Sequence, residues 1–162
     1  MVVIDFEKKI KGDCTVKGHE NWINLQSLEL GVGRAISASG SGKDRDTSTP
    51  SFSELTMSKG TDISSTELFA QAIYGKKICD KAVVHFLQTG GAGADQIYME
   101  IEIYEPIISS YSVSSGGERP SESVSVNFTK VVVKYSQFTE GGKTTKADPK
   151  GYDLMAGAPF AG

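Results

Sequence analysis

Few side chains in this sequence could do chemistry, and their spacing fits no catalytic arrangement. The two histidines are His19 and His85. His19 stands beside Glu20 in a polar stretch, which indicates a solvated loop histidine rather than a general base. His85 alternates with Val83 and Leu87 in an apolar run, which favours a packing role within a strand. The sequence predicts no general acid or base.

The cysteine and glycine motifs do not complete a known kind of site. Cys14 and Cys79 are the two cysteines, and cytosolic chemistry favours reduced thiols. Two thiols and two distant histidines make a poor metal site. The run GVGRAI has Ile36 where a dinucleotide-binding fingerprint needs glycine, and SGSGKD has Asp44 where a phosphate loop needs Ser or Thr. We therefore predict a protein that is not an enzyme and holds no cofactor or metal.

Size and charge restrict the partners. A chain of 162 residues is predicted to be one domain, residues 1–162. The 17 basic and 20 acidic residues are interspersed and give a net charge of -3, so no basic stripe suited to nucleic acid exists. No run approaches the roughly 18 apolar residues of a membrane span. The opening MVVIDFEKKIKGD lacks the apolar stretch of a signal peptide, so we expect synthesis in the cytoplasm without one.

Strands must position most of these residues. KAVVHFLQT and QIYMEIEIYE flank a glycine-rich turn, so residues 81–104 are predicted to form a β-hairpin. In its second strand the alternation predicts that one face is buried, with Ile97, Met99, Ile101 and Ile103. The other face is predicted to be the wet side of the sheet, with Tyr98, Glu100, Glu102 and Tyr104.

Two strand-like segments change step partway along. In residues 23–32 the apolar positions are first odd-numbered and then even-numbered, and residues 121–138 show the same shift. A β-bulge, near Thr129 and Lys130 in the second segment, would restore the buried face. Alternatively, the two halves of one long strand are buried on opposite faces, one of them against a neighbouring chain. Both accounts suit a strongly curved sheet.

One helix is predicted in DISSTELFAQAIYGKK. Ser64 and Glu67 have the spacing of a capping box, and Ile63 and Leu68 that of a hydrophobic staple. Gly75 is placed to end the helix in the left-handed conformation. The predicted apolar stripe consists of Leu68, Phe69, Ala72 and Ile73.

Longer motifs, in their order along the chain, resemble one protein family. These are IKGDCTVKGHENWINLQSLELGVG, LTMSKGTDISSTELFAQAIYGKKICDKAVVHF, IYMEIEIYEPIISSYSVSSGG and the closing GYD. From about Val3 to Asp153 the sequence resembles the Hcp family (haemolysin-coregulated protein), the tube subunit of bacterial type VI secretion systems. The family often has proline where this chain has Thr66, an alignment that would make Ser65 the helix cap.

The resemblance implies a mainly β fold: a compact β-barrel of two antiparallel sheets with one flanking short α-helix. It implies hexameric rings that stack into a tube, a spike protein at the tube tip, a contractile sheath around it, and small effector proteins carried in the lumen. It also implies secretion to the exterior or into target cells. Two alternatives stay open: a phage or phage-like tail-tube protein, and a monomeric β-barrel that binds a small ligand.

Within that resemblance, particular residues acquire expected roles. Ser27 and Glu29 lie opposite the apolar positions of their strand, so we expect them to face the lumen or a neighbouring subunit; the alternative for Glu29 is an ordinary solvated charge. The extended polar loop 37–50 is the candidate contact between stacked rings, and the alternative is a disordered surface loop. Its charged centre consists of Ser41, Gly42, Lys43, Asp44, Arg45 and Asp46. Residues 139–162 are predicted to be a flexible C-terminal tail.

Overall fold

The computed structural model describes residues 1–38, 45–89, 95–139 and 144–160. No helix in these ranges has the length and apolar character that crossing a bilayer requires. The elements in these ranges are β1 Val2–Asp5, β2 Ile23–Leu25, β3 Ser27–Glu29, β4 Val32–Gly33, β5 Ile36–Ala38, β6 Arg45–Thr47, β7 Ser51–Phe52, β8 Leu55–Gly60, α1 Ser65–Tyr74, β9 Lys81–Thr89, β10 Asp95–Tyr104, β11 Ile107–Ser114, β12 Ser121–Asn127, β13 Lys130–Phe138, β14 Thr144–Lys146, β15 Lys150–Asp153 and β16 Ala158–Phe160.

Two antiparallel sheets enclose the core. The large sheet has the strand order β16-β15-β13-β10-β9-β1-β2, and β14 also pairs with β13. The small sheet has the order β11-β12-β8-β3. Both sheets and the helix contribute side chains to one apolar cluster, which includes Ile4, Phe6, Ile23, Leu55, Met57, Leu68, Val84, Ile103, Val124 and Val126. The mainly β fold, with two principal antiparallel sheets and one short helix, is as predicted.

The first step change in the sequence marks a crossing between the sheets. Ile23 lies in the large sheet, whereas Leu28 lies in the small sheet, and both side chains pack on the same core. Between β2 and β3, the Gln26 amide donates a hydrogen bond to the Ser58 carbonyl at 2.8 Å. Since the chain must turn about its own axis to keep facing the core, the parity of the buried positions changes.

The second step change has the same cause, so both earlier explanations of it are wrong. Residues 121–138 form two strands, with β12 in the small sheet and β13 in the large sheet. Val126 and Val131 therefore face one core from opposite sides. Neither a bulge near Thr129 and Lys130 nor burial on opposite faces of one strand is needed.

The predicted hairpin is present, but its alternation is interrupted. Strands β9 and β10 pair antiparallel, with a register shift between Ile97 and Met99. Ile97 is paired with Leu87 and packs with it in a small cluster separate from the main core. The extra residue, Tyr98, thus moves Ile97 to the outer face, contrary to the prediction.

Within the predicted C-terminal tail, residues 139–162, the described part contains three paired strands. Strands β14 and β15 both pair with β13, and β16 pairs with β15. Gly151 permits this close approach: a Cβ there would lie 2.4 Å from the Val131 carbonyl oxygen and 2.6 Å from that of Phe160. No other residue type fits that position without displacing a strand.

The helix begins where the sequence predicts, but the predicted capping box is wrong. Ser64 is the residue before the first helical residue, and its side chain makes no capping hydrogen bond. Its amide and hydroxyl instead donate to Asp62 Oδ1. Glu67 accepts a hydrogen bond from Gln71 at 2.7 Å rather than reaching back to the cap. The nearby carboxylate of Asp62 is the stronger acceptor and captures the hydroxyl.

The staple is also absent, whereas the helix end is as predicted. Ile63 is 68% exposed, so it does not pack on buried Leu68. Gly75 is left-handed, with φ 58°, and its amide bonds to the Gln71 carbonyl. The helix is therefore held in place mainly by buried Leu68 and by polar contacts at its first turn.

A buried lysine anchors the first turn of the helix. Lys59, on β8, is 0% exposed, and its Nζ lies 2.7 Å from Glu122 Oε2 and 2.8 Å from Asp62 Oδ1. It also donates to the Gly60 carbonyl at 2.8 Å. The Tyr111 hydroxyl donates to the other Glu122 oxygen at 2.9 Å, and burial and this carboxylate raise the pKa of Tyr111 to about 12. One ammonium group thus ties β8, β12 and the helix start together.

Candidate functional site

The outer face of the small sheet is composed almost entirely of hydroxyl side chains. Alternation in β8 and β12 sends apolar residues to the core and Ser or Thr outward. The strand register aligns these into two rows across the sheet. We call this surface the hydroxyl face; its rows are Ser27, Ser58, Ser123 and Ser112, and Glu29, Thr56, Ser125 and Ser110.

Ser27 and Glu29 both lie exposed on the hydroxyl face, at its β3 edge. The Ser27 hydroxyl is hydrogen-bonded to that of Ser58, and Thr56 Oγ1 lies 3.5 Å from Ser125 Oγ. Hydroxyls both donate and accept hydrogen bonds. A surface of this kind can contact many polar partners weakly, with Glu29 as the one charge in the two rows.

Both edges of the small sheet lack a strand partner within the described residues. Each neighbouring pair in the order β11-β12-β8-β3 is antiparallel. Over three such steps, β3 and β11 run in opposite directions. The β3 edge of one copy could therefore pair antiparallel with the β11 edge of another.

The helix closes the gap between the sheets at the β11 edge and presents apolar side chains outward. Phe69 contacts Tyr111 of β11 edge-on, with ring centroids 5.7 Å apart. Of the predicted stripe, only Leu68 is fully buried. We call the exposed set the helix face: Ile63, Phe69, Ile73 and Tyr74, each at least 53% exposed.

At the opposite, β3 edge, the gap between the sheets is open. It forms an apolar groove of about 560 Å³, which we call the edge groove. Phe52 and Tyr152 stack beside it with ring centroids 5.5 Å apart. Its lining includes Leu28, Leu30, Val32, Phe52, Phe86, Met99, Ile101, Val131, Val133 and Tyr152.

The predicted stacking loop is described only in part. Ser41, Gly42, Lys43 and Asp44 lie outside the described residues. Arg45 and Asp46 belong to β6, which pairs antiparallel with β5 and so forms a two-stranded ribbon. This ribbon is separate from both main sheets.

The outer face of the large sheet is an ionic row rather than the predicted wet side. Glu102 is 4% exposed and lies 2.8 Å from Lys81 and 2.9 Å from Lys134. Glu100 lies 2.9 Å from His85 and 3.0 Å from Lys134. The hydrogen bond from His85 and the Lys134 ammonium lower the pKa of Glu100 to about 2.

His19 is part of this row, so the predicted solvated loop histidine is wrong. It is 7% exposed, and its Nε2 lies 2.8 Å from His85 Nδ1. Trp22 packs against both imidazoles, with ring centroids 4.7 Å from each. Burial, and then the neighbouring His85, lower the pKa of His19. The two histidines are 66 positions apart in sequence. They meet only because the segment that contains His19 folds back onto β9, so the local sequence could not predict the pair.

Metal and thiol chemistry find no support in the described part of the chain. No group of three or more His, Cys, Asp and Glu residues there could hold a metal ion. Cys14 and Cys79 are both free and buried. Burial raises the pKa of Cys79 to about 12, which makes it a poor nucleophile at neutral pH.

Comparison with known proteins identifies the fold. Residues 4–135 match the family model described as "Type VI secretion system effector, Hcp". No curated protein matches the sequence. A solved "type six secretion system protein" superposes with a TM-score of 0.88 at 22% identity, covering 98% of each chain. Hcp1 from Salmonella typhimurium gives 0.75 at 21% identity, covering 98% of this chain and 97% of its own. A tube-terminating cap of an anti-feeding prophage gives 0.53 at 10% identity, over 83% and 87% of the chains.

Proposed function

Because the chain belongs to the Hcp family of type VI secretion proteins, we propose that it is a tube subunit whose copies form hexameric rings. The observation that carries this proposal is the small sheet, which has a polar outer face and two edges of opposite direction that no other described strand pairs with. Unpaired edges invite pairing with another chain. The proposed role is structural and involves no catalysis.

Head-to-tail contact uses both edges at once. When β3 of one copy lies beside β11 of the next, two different surfaces meet at each contact. The same contact, repeated by rotation about one axis, can close into a ring. The small sheets then form one continuous inner wall, and neither edge of the small sheet remains exposed. The -3 net charge of each copy opposes this packing only weakly.

The helix face and the edge groove complete the same contact. Both lie in the layer between the two sheets, one at the β11 edge and the other at the β3 edge. Edge-to-edge pairing therefore brings the helix face of one subunit against the edge groove of its neighbour. Burying Phe69 and Ile73 there would stabilise each contact by roughly 1.5–3 kcal/mol per side chain.

In such a ring the hydroxyl face lines the lumen. Small effector proteins would contact rows of serine hydroxyls and a ring of Glu29 carboxylates. The ribbon β5–β6, which belongs to neither main sheet, would contact the next ring. The outer face of the large sheet would then lie towards a contractile sheath, and the ring at the tip would meet a spike protein. Secretion of the tube to the exterior or into target cells follows from this role.

Sizing the purified protein tests the proposal. Light scattering should give six times the 17.3 kDa chain mass, and electron microscopy should show rings with an open centre. The edge groove favours one rival, a monomeric barrel that binds a small apolar ligand. A lone 17.3 kDa particle that binds an apolar dye would support that rival and overturn the ring. The similarity to the prophage cap keeps a phage-like tube as the related alternative.

Replacing Glu29 with tryptophan should reduce retention of an effector in purified rings at least about tenfold, a loss of about 1.4 kcal/mol. Six indole side chains would project into the lumen, and six negative charges would be removed. An effector pulled down with rings of known mass measures this. Glu118→Trp, an exposed position outside the hydroxyl face, is the matched control. Equal retention by both variants would show that Glu29 does not face the lumen.

A further inference from the structure

The segment from residue 11 to 22, between β1 and β2, covers part of the outer face of the large sheet. The backbone of this segment is hydrogen-bonded to itself: the Cys14 amide donates to the Trp22 carbonyl, and the Asn21 amide donates to the Cys14 carbonyl. Its apolar contacts with the sheet are the small cluster of Val3, Cys14 and Leu87, with Val16, Trp22 and Ile97 at its margin. Among the described residues, the segment also contacts the sheet through the imidazole pair and through an Asn24–Asp13 hydrogen bond of 3.1 Å.

The positions of the protons in the imidazole pair follow from Glu100. An ionised carboxylate can only accept, so the 2.9 Å contact places a hydrogen on His85 Nε2. In neutral His85 the Nδ1 atom is then bare. It accepts from His19 Nε2–H across 2.8 Å. His19 Nδ1 is the remaining bare nitrogen, buried and without a hydrogen-bond partner among the described residues.

We propose that His19 and His85 form an acid-sensitive latch, and that protonation of both imidazoles releases the segment 11–22 and exposes Cys14 and Trp22. One added proton keeps the N–H···N bond, since a donor still faces an acceptor. A second added proton leaves two N–H groups pointing at each other. It also places two cations with ring centroids 5.0 Å apart.

The surroundings do not compensate two charges. Val3 and Glu100 flank His85 on the two neighbouring strands. The Glu100 carboxylate attracts positive charge, but the ammonium group of Lys134, which binds Glu100 from the next strand, offsets that attraction. Around His19, the Lys17 carbonyl and the carboxylates of Asp95 and Glu20 favour the charged form, but burial and His85 outweigh them. Asn24 is uncharged and holds Asp13.

The direction of the pH effect follows from linkage. The pKa of His19 is lowered in the closed state, so the closed state binds fewer protons than the open one. Closure is therefore favoured above the ordinary histidine pKa of about 6.5 and is lost as pH falls through it. If two protons are needed, opening should rise more steeply than about tenfold per pH unit as pH falls below about 6.5.

The chain supplies its own probes, since it has two cysteines and one tryptophan. In a Cys79→Ala background, labelling of Cys14 by 4,4′-dithiodipyridine, which reacts with thiols in acid, should accelerate with that slope. Trp22 fluorescence should change over the same range. In a Cys14→Ala background, labelling of Cys79, which lies in the main core, should stay slow and exclude general unfolding.

His19→Phe and His19→Gln should each abolish the steep slope while circular dichroism stays that of a β protein. Two substitutions of different shape guard against one that merely fails to fold. A slope of one proton or fewer in the parent would overturn the latch. So would an unchanged slope in both His19 variants, or parallel acceleration at Cys14 and Cys79. None of these outcomes depends on ring formation, so the latch and the proposed tube stand or fall separately.

Discussion

Replacing Lys59 with methionine is expected to lower the free energy of unfolding by about 3–5 kcal/mol. The variant leaves the Glu122 carboxylate, 1% exposed, with Tyr111 as its remaining donor, and leaves Asp62 without its cation. A buried charge without a partner retains its full desolvation cost. Urea unfolding followed by circular dichroism, at one fixed protein concentration, measures the change.

Lys81→Met is the matched control. Lys81 is 38% exposed, and its partner Glu102 keeps the 2.9 Å contact with Lys134. Its loss should cost no more than about 1 kcal/mol. Adding Glu122→Gln to Lys59→Met should recover part of the stability, because the unpaired charge is gone and an acceptor for Tyr111 remains. Equal losses for Lys59→Met and Lys81→Met would contradict the anchoring role.

The second large effect concerns assembly. Ile73→Asp should convert rings into monomers at concentrations where the parent is a ring, because each subunit contact would bury an unpaired carboxylate. A cost of about 3 kcal/mol per contact weakens each more than a hundredfold. Ile73 is 65% exposed in the single chain, so the monomer itself should keep its fold. Light scattering and circular dichroism measure the two properties.

Met155→Asp makes the same kind of change outside both proposed contact surfaces. Met155 is 80% exposed in the turn between β15 and β16. Rings of the Met155→Asp variant should have the parent mass. If Ile73→Asp also keeps that mass, the helix face does not lie at the subunit contact.

Features encoded by local pattern were predictable from the sequence. The hairpin of β9 and β10, the helix with its glycine end and the outward placement of Ser27 all follow from periodicity and turn chemistry. The resemblance then added the fold, which the comparisons confirm.

Features that depend on contacts between distant segments were not predictable. The step changes showed that the chain turns, but not that each half joins a different sheet. Asp62 displaced the predicted capping box because it binds Lys59, which is held in the core by Glu122, 63 positions further along the chain. The partner of His19 lies 66 residues away, so a polar local sequence concealed a buried imidazole. In each case tertiary contact overrode a sound local expectation.

Two of the places where the chain passes directly from one sheet to the other also have a mechanical consequence. The backbone runs without a break from β2 to β3 and from β12 to β13, so the two walls of the molecule are joined by covalent bonds as well as by apolar packing. A shearing load applied to one wall therefore reaches the other through the main chain. The walls cannot slide past each other unless those strands are first pulled out of their ladders.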